Sequence, residues 1–216
     1  MRFEAKRGFL RICTGRTLTK EPDVSTKKLA RGGSPLSIMN LWYDIEVGKD
    51  APSVVNVIVE INKGSKNKYE IDKETGLIAL DRAMKSSQDY PFDYGFVPQT
   101  LWDDGDALDV IILTTYPLAP GILVRVRPVA IMSMIDGDDS DDKVIAVPVH
   151  DPRWDEVHDL ADVNKHTIKE IQHFFSTYKT IENKHVQVTG FSGKKEAEAA
   201  VVHGQKLYTE KFPKKN

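Results

Sequence analysis

At 216 residues, with 40% hydrophobic and 29% charged residues, the chain has the composition of an ordinary folded, soluble domain, which excludes a disordered, collagen-like or coiled-coil protein. Its longest uncharged stretch, residues 110–124, is broken by Pro117, Pro120 and Gly121 and is too short for a membrane span, so no membrane partner is expected. The net charge of −2 is a sum of opposites: residues 1–38 carry nine Lys/Arg against three Asp/Glu, a net of +6, and residues 39–216 carry 21 against 29, a net of −8.

Residues 1–38 read as a basic N-terminal extension, rich in Ser, Thr and Gly, with neither strand alternation nor a helical stripe. Three origins fit it: a transit peptide, from its arginines and few acids; an expression tag or misassigned start, from the second methionine at Met39; or a basic arm for a polyanion. No apolar run of seven follows the basic start, so it is not a secretory signal. A single cysteine, Cys13, forms no internal disulfide and belongs to no zinc-like cluster, which points to a reducing compartment. The expected location is the cytoplasm, or a mitochondrion or plastid if residues 1–38 are a transit peptide.

From Met39 to residue 216 the pattern is that of one domain. Segments 54–61, 77–80, 109–113, 122–132 and 143–149 are rich in Val and Ile and bounded by Gly, Pro or Asp, which reads as strands. No helical pattern of 10 to 15 residues separates each pair, so an antiparallel or mixed sheet closed into a β-barrel is favoured over βαβ winding. Helices come late: Ile168, Ile171, Phe175 and Tyr178 keep one apolar stripe, and Ala197, Ala200, Val201, Leu207 and Tyr208 keep another, interrupted by Gly204.

The chemistry concentrates in acidic turns. Asp103, Asp104, Gly105, Asp106, Ala107, Leu108 and Asp109 place four carboxylates in seven residues at the entry to a strand. A turn at Gly105 is needed to aim Asp104, Asp106 and Asp109 at one spot. Carboxylates held ~4 Å apart at an effective dielectric near 20 repel by roughly 4 kcal/mol per pair, which a divalent cation offsets. A second run, Asp136, Gly137, Asp138, Asp139, Ser140, Asp141, Asp142 and Lys143, adds five more. Neither run has EF-hand spacing. The expectation is that two acidic loops from opposite ends of neighbouring strands converge as all-oxygen ligands for magnesium or manganese. Lys68, Glu70 and Arg82, Tyr90 and Tyr94, and Tyr178 with Lys179 supply cations and hydroxyls for a highly charged anion, as phosphoryl chemistry needs. Walker A, G-x-S-x-G and H-E-x-x-H motifs are all missing from the sequence.

In this order the residues resemble family I soluble inorganic pyrophosphatases over about residues 40–210. The likeness rests on Val59-Glu60-Ile61, Lys68-Tyr69-Glu70-Ile71-Asp72-Lys73, Thr75-Gly76, Leu80-Asp81-Arg82, Tyr90-Pro91, Tyr94-Gly95, the Asp104-Gly105-Asp106-x-x-Asp109 signature, Asp136 with Asp141 and Lys143, and Tyr178-Lys179. The resemblance implies a mainly β, OB-type barrel flanked by C-terminal helices, and hydrolysis of inorganic diphosphate to two orthophosphates with three or four Mg2+ ions, for which Mn2+ is a substitute. It implies that Asp104, Asp109 and Asp141 hold the first metal and that Asp109 bridges to the second. Asp136 and Asp141 would hold a third, with Glu60 near a fourth. Lys68, Arg82, Tyr94, Lys143, Tyr178 and Lys179 would bind phosphate oxygens, Glu70 and Tyr90 would support the site, and Asp106 would be the general base. It also implies a homodimer or homohexamer.

The sequence departs from the family pattern at Asp93, often Asn, where a charge beside Tyr94 would tune metal affinity or pair with a neighbouring Lys or Arg. It departs again at Ala107, often Pro or Glu. Two other readings compete. A nucleic-acid-binding OB module is opposed by the −8 of residues 39–216, and hydrolysis of nucleotides or organic phosphates is separable by substrate comparison.

Overall fold

The computed structural model describes residues 39–213; the readings made for residues 1–38 lie outside the described residues. The chain forms β1 (Val55–Ile61), β2 (Asn67–Ile71), β3 (Ile78–Ala83), β4 (Asp93–Phe96), β5 (Asp109–Ile112), β6 (Leu123–Asp136), β7 (Asp139–Ser140), β8 (Lys143–Pro148), α1 (Lys165–Thr177), β9 (Val186–Gly193) and α2 (Lys194–Lys211). β1 pairs β4, β4 pairs β5, β5 pairs β8, β8 pairs β6, and β6 returns to β1, so five strands make a ring. All of these pairings are antiparallel except β5 with β8. β9 lies along the far part of β6, and β2 with β3 forms a separate two-stranded ribbon. The mixed, mainly β architecture with late helices is the one the sequence predicts.

Alternation along the ring strands explains their apolar runs. In β5, Ile111 joins one buried cluster while Val110 and Ile112 join another; in β8, Ile145 and Val147 divide from Val144 and Ala146 in the same way. Strands buried on both faces lose the polar half of their alternation and read as continuous Val/Ile segments. On the first side, α1 contributes Ile171, Phe174 and Phe175, each worth about 1.5–3 kcal/mol of burial. On the second side, α2 contributes Ala197, Ala200 and Val201.

Local chemistry sets the helix starts. The Asn164 side chain accepts from the His166 amide 2.8 Å away at the start of α1. Asp159 Oδ1 accepts from the Lys194 amide at 3.1 Å at the start of α2. Gly204 interrupts the apolar stripe of α2 for a reason of packing: a Cβ there would stand 3.2 Å from the Thr100 Cβ, and the Leu101 amide donates to the Gly204 carbonyl at 2.9 Å. Gly95 in β4 is required more strictly, because a Cβ would lie 2.0 Å from the Ile58 carbonyl oxygen of β1.

Candidate active site

The parallel pairing of β5 and β8 builds the centre of the site. Asp109 opens β5 and Lys143 opens β8, and the two are register partners, so both acidic loops arrive at the same end of the ring. The expectation that they come from opposite ends of neighbouring strands is corrected by this pairing, since parallel neighbours share their starting edge. The turn before β5 is drawn tight by Gly105 at φ +88° and by the Trp102 amide donating to the Asp106 carbonyl at 2.7 Å. Asp104 Oδ1 accepts from the Asp106 amide at 2.9 Å. Beside β8, the short β6–β7 turn presents Asp136, and the Asp141 amide donates to the Met134 carbonyl at 3.0 Å, aiming Asp141 inward. β1 contributes Glu60, which accepts from the Ile71 amide at 2.7 Å and ties the β2–β3 ribbon to the ring.

These side chains line one cavity of about 230 Å3. Glu60, Lys68, Glu70, Tyr90, Tyr94, Asp104, Asp106, Asp109, Asp136, Asp141, Lys143, Tyr178 and Lys179 all face it. Arg82 does not line it: its guanidinium is held 2.5 Å from Asp81 Oδ2, on the β2–β3 ribbon beside Lys68. Trp42 and Lys73 line it without having been singled out. Lys73 sits inside the Lys68-to-Lys73 stretch that carries the resemblance, so it was within reach of the sequence. Trp42, outside every motif, was not.

The cavity is densely charged and internally paired. Lys143, 2% exposed, places Nζ 2.8 Å from Asp109 Oδ2 and 2.5 Å from Asp141 Oδ1. Burial opposes its charge, but the carboxylates of Asp109 and Asp141 outweigh burial and hold the ammonium protonated. The Tyr94 hydroxyl donates to Asp109, and Lys179 pairs with Asp136. Burial raises the Asp104 carboxyl to about 6, aided by the charges of Asp109 and Asp141 and opposed by the Asp106 amide. Burial also raises Asp141, and it raises Glu60 well above the usual carboxylate range, with the Asp109 charge adding to it. Tyr90, Tyr94 and Tyr178 are raised by burial first and then by neighbouring charge, which keeps them as neutral hydroxyl donors.

Among the described residues no three Asp, Glu, His or Cys side chains are gathered into a ready metal cage. Lys143, bonded to both Asp109 and Asp141, stands between two of the acids. The donor set nonetheless fits hard divalent cations: it is all carboxylate oxygen, and Asp104 and Asp141 are raised by burial first and by the neighbouring acids after it.

The two departures at Asp93 and Ala107 prove unrelated to cavity charge. Asp93 is fully buried and accepts from the Lys63 amide at 2.8 Å, the Leu118 amide at 3.1 Å and the Thr114 hydroxyl. Its partners are two backbone amides and a hydroxyl rather than a Lys or Arg side chain, and it does not line the cavity, because β4 points it away from Tyr94. Ala107 packs with Trp42, Ile58, Phe96 and Leu101.

The family model described as inorganic pyrophosphatase matches residues 57–209. The chain belongs to the inorganic pyrophosphatase family. It is 47% identical over 176 residues to the inorganic pyrophosphatase of Haloferax volcanii, covering 81% of this chain and 99% of that one. It is 47% identical over 169 residues to the soluble inorganic pyrophosphatase of Zea mays, covering 78% of this chain and 79% of that one. Among solved structures, the inorganic pyrophosphatase of Thermus thermophilus superposes with a TM-score of 0.77 at 45% identity, over 79% of this chain and 99% of that one. The family match spans both acidic loops, the β2–β3 ribbon and α1.

Proposed function

We propose that the protein hydrolyses inorganic diphosphate to two orthophosphates in this cavity, with Asp106 as the general base. The observation that carries the reading is the convergence, in a family pyrophosphatase, of Asp104, Asp106, Asp109, Asp136 and Asp141 with Lys68, Lys143 and Lys179 on one 230 Å3 space. Asp104, Asp109 and Asp141 would hold a first magnesium, with Asp109 shared by a second, Asp136 and Asp141 serving a third, and Glu60 near a fourth. When bound, such ions neutralise the acids and supply a water of lowered pKa.

The rest of the work falls to the chain. Asp106, with a side chain 61% exposed, takes a proton from the attacking water as its oxygen forms a bond to one phosphorus. The bridging P–O bond breaks, and the second phosphate leaves with the electron pair. With cations held by the acids, the pairs of Lys143 with Asp109 and Asp141 and of Lys179 with Asp136 would open, and both ammoniums would neutralise the phosphate oxygens together with Lys68 and Arg82. Tyr94 and Tyr178 donate from hydroxyls that burial keeps protonated. Arg82 reaches the substrate from the rim, by exchanging Asp81 for a phosphate oxygen.

Residues 39–216 constitute the catalytic domain and residues 1–38 lie outside it. No helix among the described residues is long and apolar enough to cross a membrane. A cytoplasmic, dimeric or hexameric enzyme is the reading adopted, with an organelle as its home if residues 1–38 are a transit peptide. Purified protein should release orthophosphate from magnesium diphosphate far faster than from magnesium ATP. Equal or faster release from ATP would sink the assignment of substrate.

A further inference from the structure

The geometry points to Lys73 as a positioning residue for Asp106, the carboxylate assigned above as the general base; the inference rests on that assignment. Lys143 and Lys179 reach acids assigned to metals, which cations would displace. Lys73 reaches Asp106, the one acid of the two loops that lines the cavity and is assigned no metal. Its Nζ pairs with Asp106 Oδ1 and lies 3.5 Å from the Gly105 carbonyl, so it grips the tip of the acidic turn at two points.

Lys73 is itself held by neighbours other than the acidic turn. Its carbonyl accepts from Asn40 Nδ2 at 3.0 Å. The turn that carries it is closed by the Gly76 amide donating to the Asp72 carbonyl at 2.7 Å and the Thr75 amide donating to Asp72 Oδ1 at 2.6 Å. The ammonium stands 5.2 Å from the Trp42 ring centroid, an arrangement in which the ring face attracts the cation. Trp42 is tethered: it is 2% exposed, donates from Nε1 to the Thr100 carbonyl at 2.8 Å, and packs edge-on to Phe212 of the C-terminal segment. A rigid platform, Trp42 with the Asp72 turn, thus fixes a cation that fixes the base. Asp106 has no other side-chain partner among the contacts described, and its carboxylate would otherwise swing toward solvent from a turn pivoting on Gly105.

A positioning role has kinetic signatures that substrate binding or simple packing does not share. Lys73→Met should lower kcat about tenfold, the order expected when a reacting group loses its alignment, while KM for magnesium diphosphate and calorimetric magnesium affinity change less than about twofold. Lys73→Arg should recover most of kcat. In an Asp106→Asn background, Lys73→Met should cost less than a further twofold, because the group it orients is gone. The inference is overturned by any one of three results: unchanged kcat in Lys73→Met, a tenfold rise in KM at unchanged kcat, or the full tenfold loss persisting in the Asp106→Asn background. Near-normal turnover of Asp106→Asn alone would instead remove the base assignment, a separate failure read from a separate protein.

Discussion

Asp106 and Asp109 are three residues apart and differ in what surrounds them. Asp109 is enclosed by Lys143 and the Tyr94 hydroxyl, whereas the Asp106 side chain stands at the solvent-facing tip of its turn. Asp106→Asn should lower kcat by roughly 10²- to 10⁴-fold, the usual weight of a general base, and leave magnesium affinity within about threefold. Asp109→Asn should weaken magnesium binding itself by about tenfold or more; equal affinities in calorimetry of the two variants would contradict the division of roles. Asp93 makes a different kind of claim. Its carboxylate satisfies two buried amides and a hydroxyl, so Asp93→Ala should destabilise the fold by about 2–4 kcal/mol. Asp93→Asn, which keeps an acceptor oxygen for both amides, should cost less than half of that in urea denaturation. A loss in Asn as large as that in Ala would mean that the charge, not the hydrogen bonds, matters.

The elements carry their own predictions. Gly95→Ala forces a methyl into the Ile58 carbonyl, where only backbone movement between β1 and β4 gives room, so a loss of about 3 kcal/mol is expected. Gly105→Ala meets no neighbour within 4 Å and pays only for its φ of +88°, about 1–2 kcal/mol; it should harm turnover more than stability, since it re-aims Asp106. A larger stability loss at Gly105 than at Gly95, by denaturant titration, would reverse this account. The contrast between strands also explains what could be read from sequence. β1, β5 and β8 are buried on both faces and announce themselves as Val/Ile runs, and β6 was seen in part, although it continues to Asp136. β2 is Asn67-Lys68-Tyr69-Glu70-Ile71, a half-exposed ribbon with no apolar alternation. β4 is four residues with a central glycine, and β9 dilutes Val186 and Val188 with Gly190 and Gly193. Their pairing comes from tertiary context, which local propensity does not encode. The acids and lysines of the cavity were legible because charge clustered before strands is costly without a ligand. Trp42 and the buried role of Asp93 were not, because an aromatic outside every motif and an acid beside Tyr94 acquire their meaning only from the chain that folds over them.

At the scale of the molecule, the net charge of −2 conceals a −8 body, seven of whose acids line one cavity, joined to a +6 segment. Cations should therefore stabilise the whole fold: magnesium at about 100 times its dissociation constant adds about 2.7 kcal/mol, which for a chain of this length raises Tm by roughly 5–10 °C. Calorimetric scans should show that rise in the wild type and little of it in Asp109→Asn. Removal of residues 1–38, starting the chain at Met39, should leave specific activity within about twofold, and a severe loss would place part of the catalytic machinery in that segment. The central claim is that this cavity splits diphosphate with the help of divalent cations. It is tested most directly by counting orthophosphate released from inorganic diphosphate by the purified protein, with magnesium and then with excess EDTA. The account predicts two orthophosphates per diphosphate with magnesium and none with the chelator; no release in either condition, or equal release in both, would contradict it.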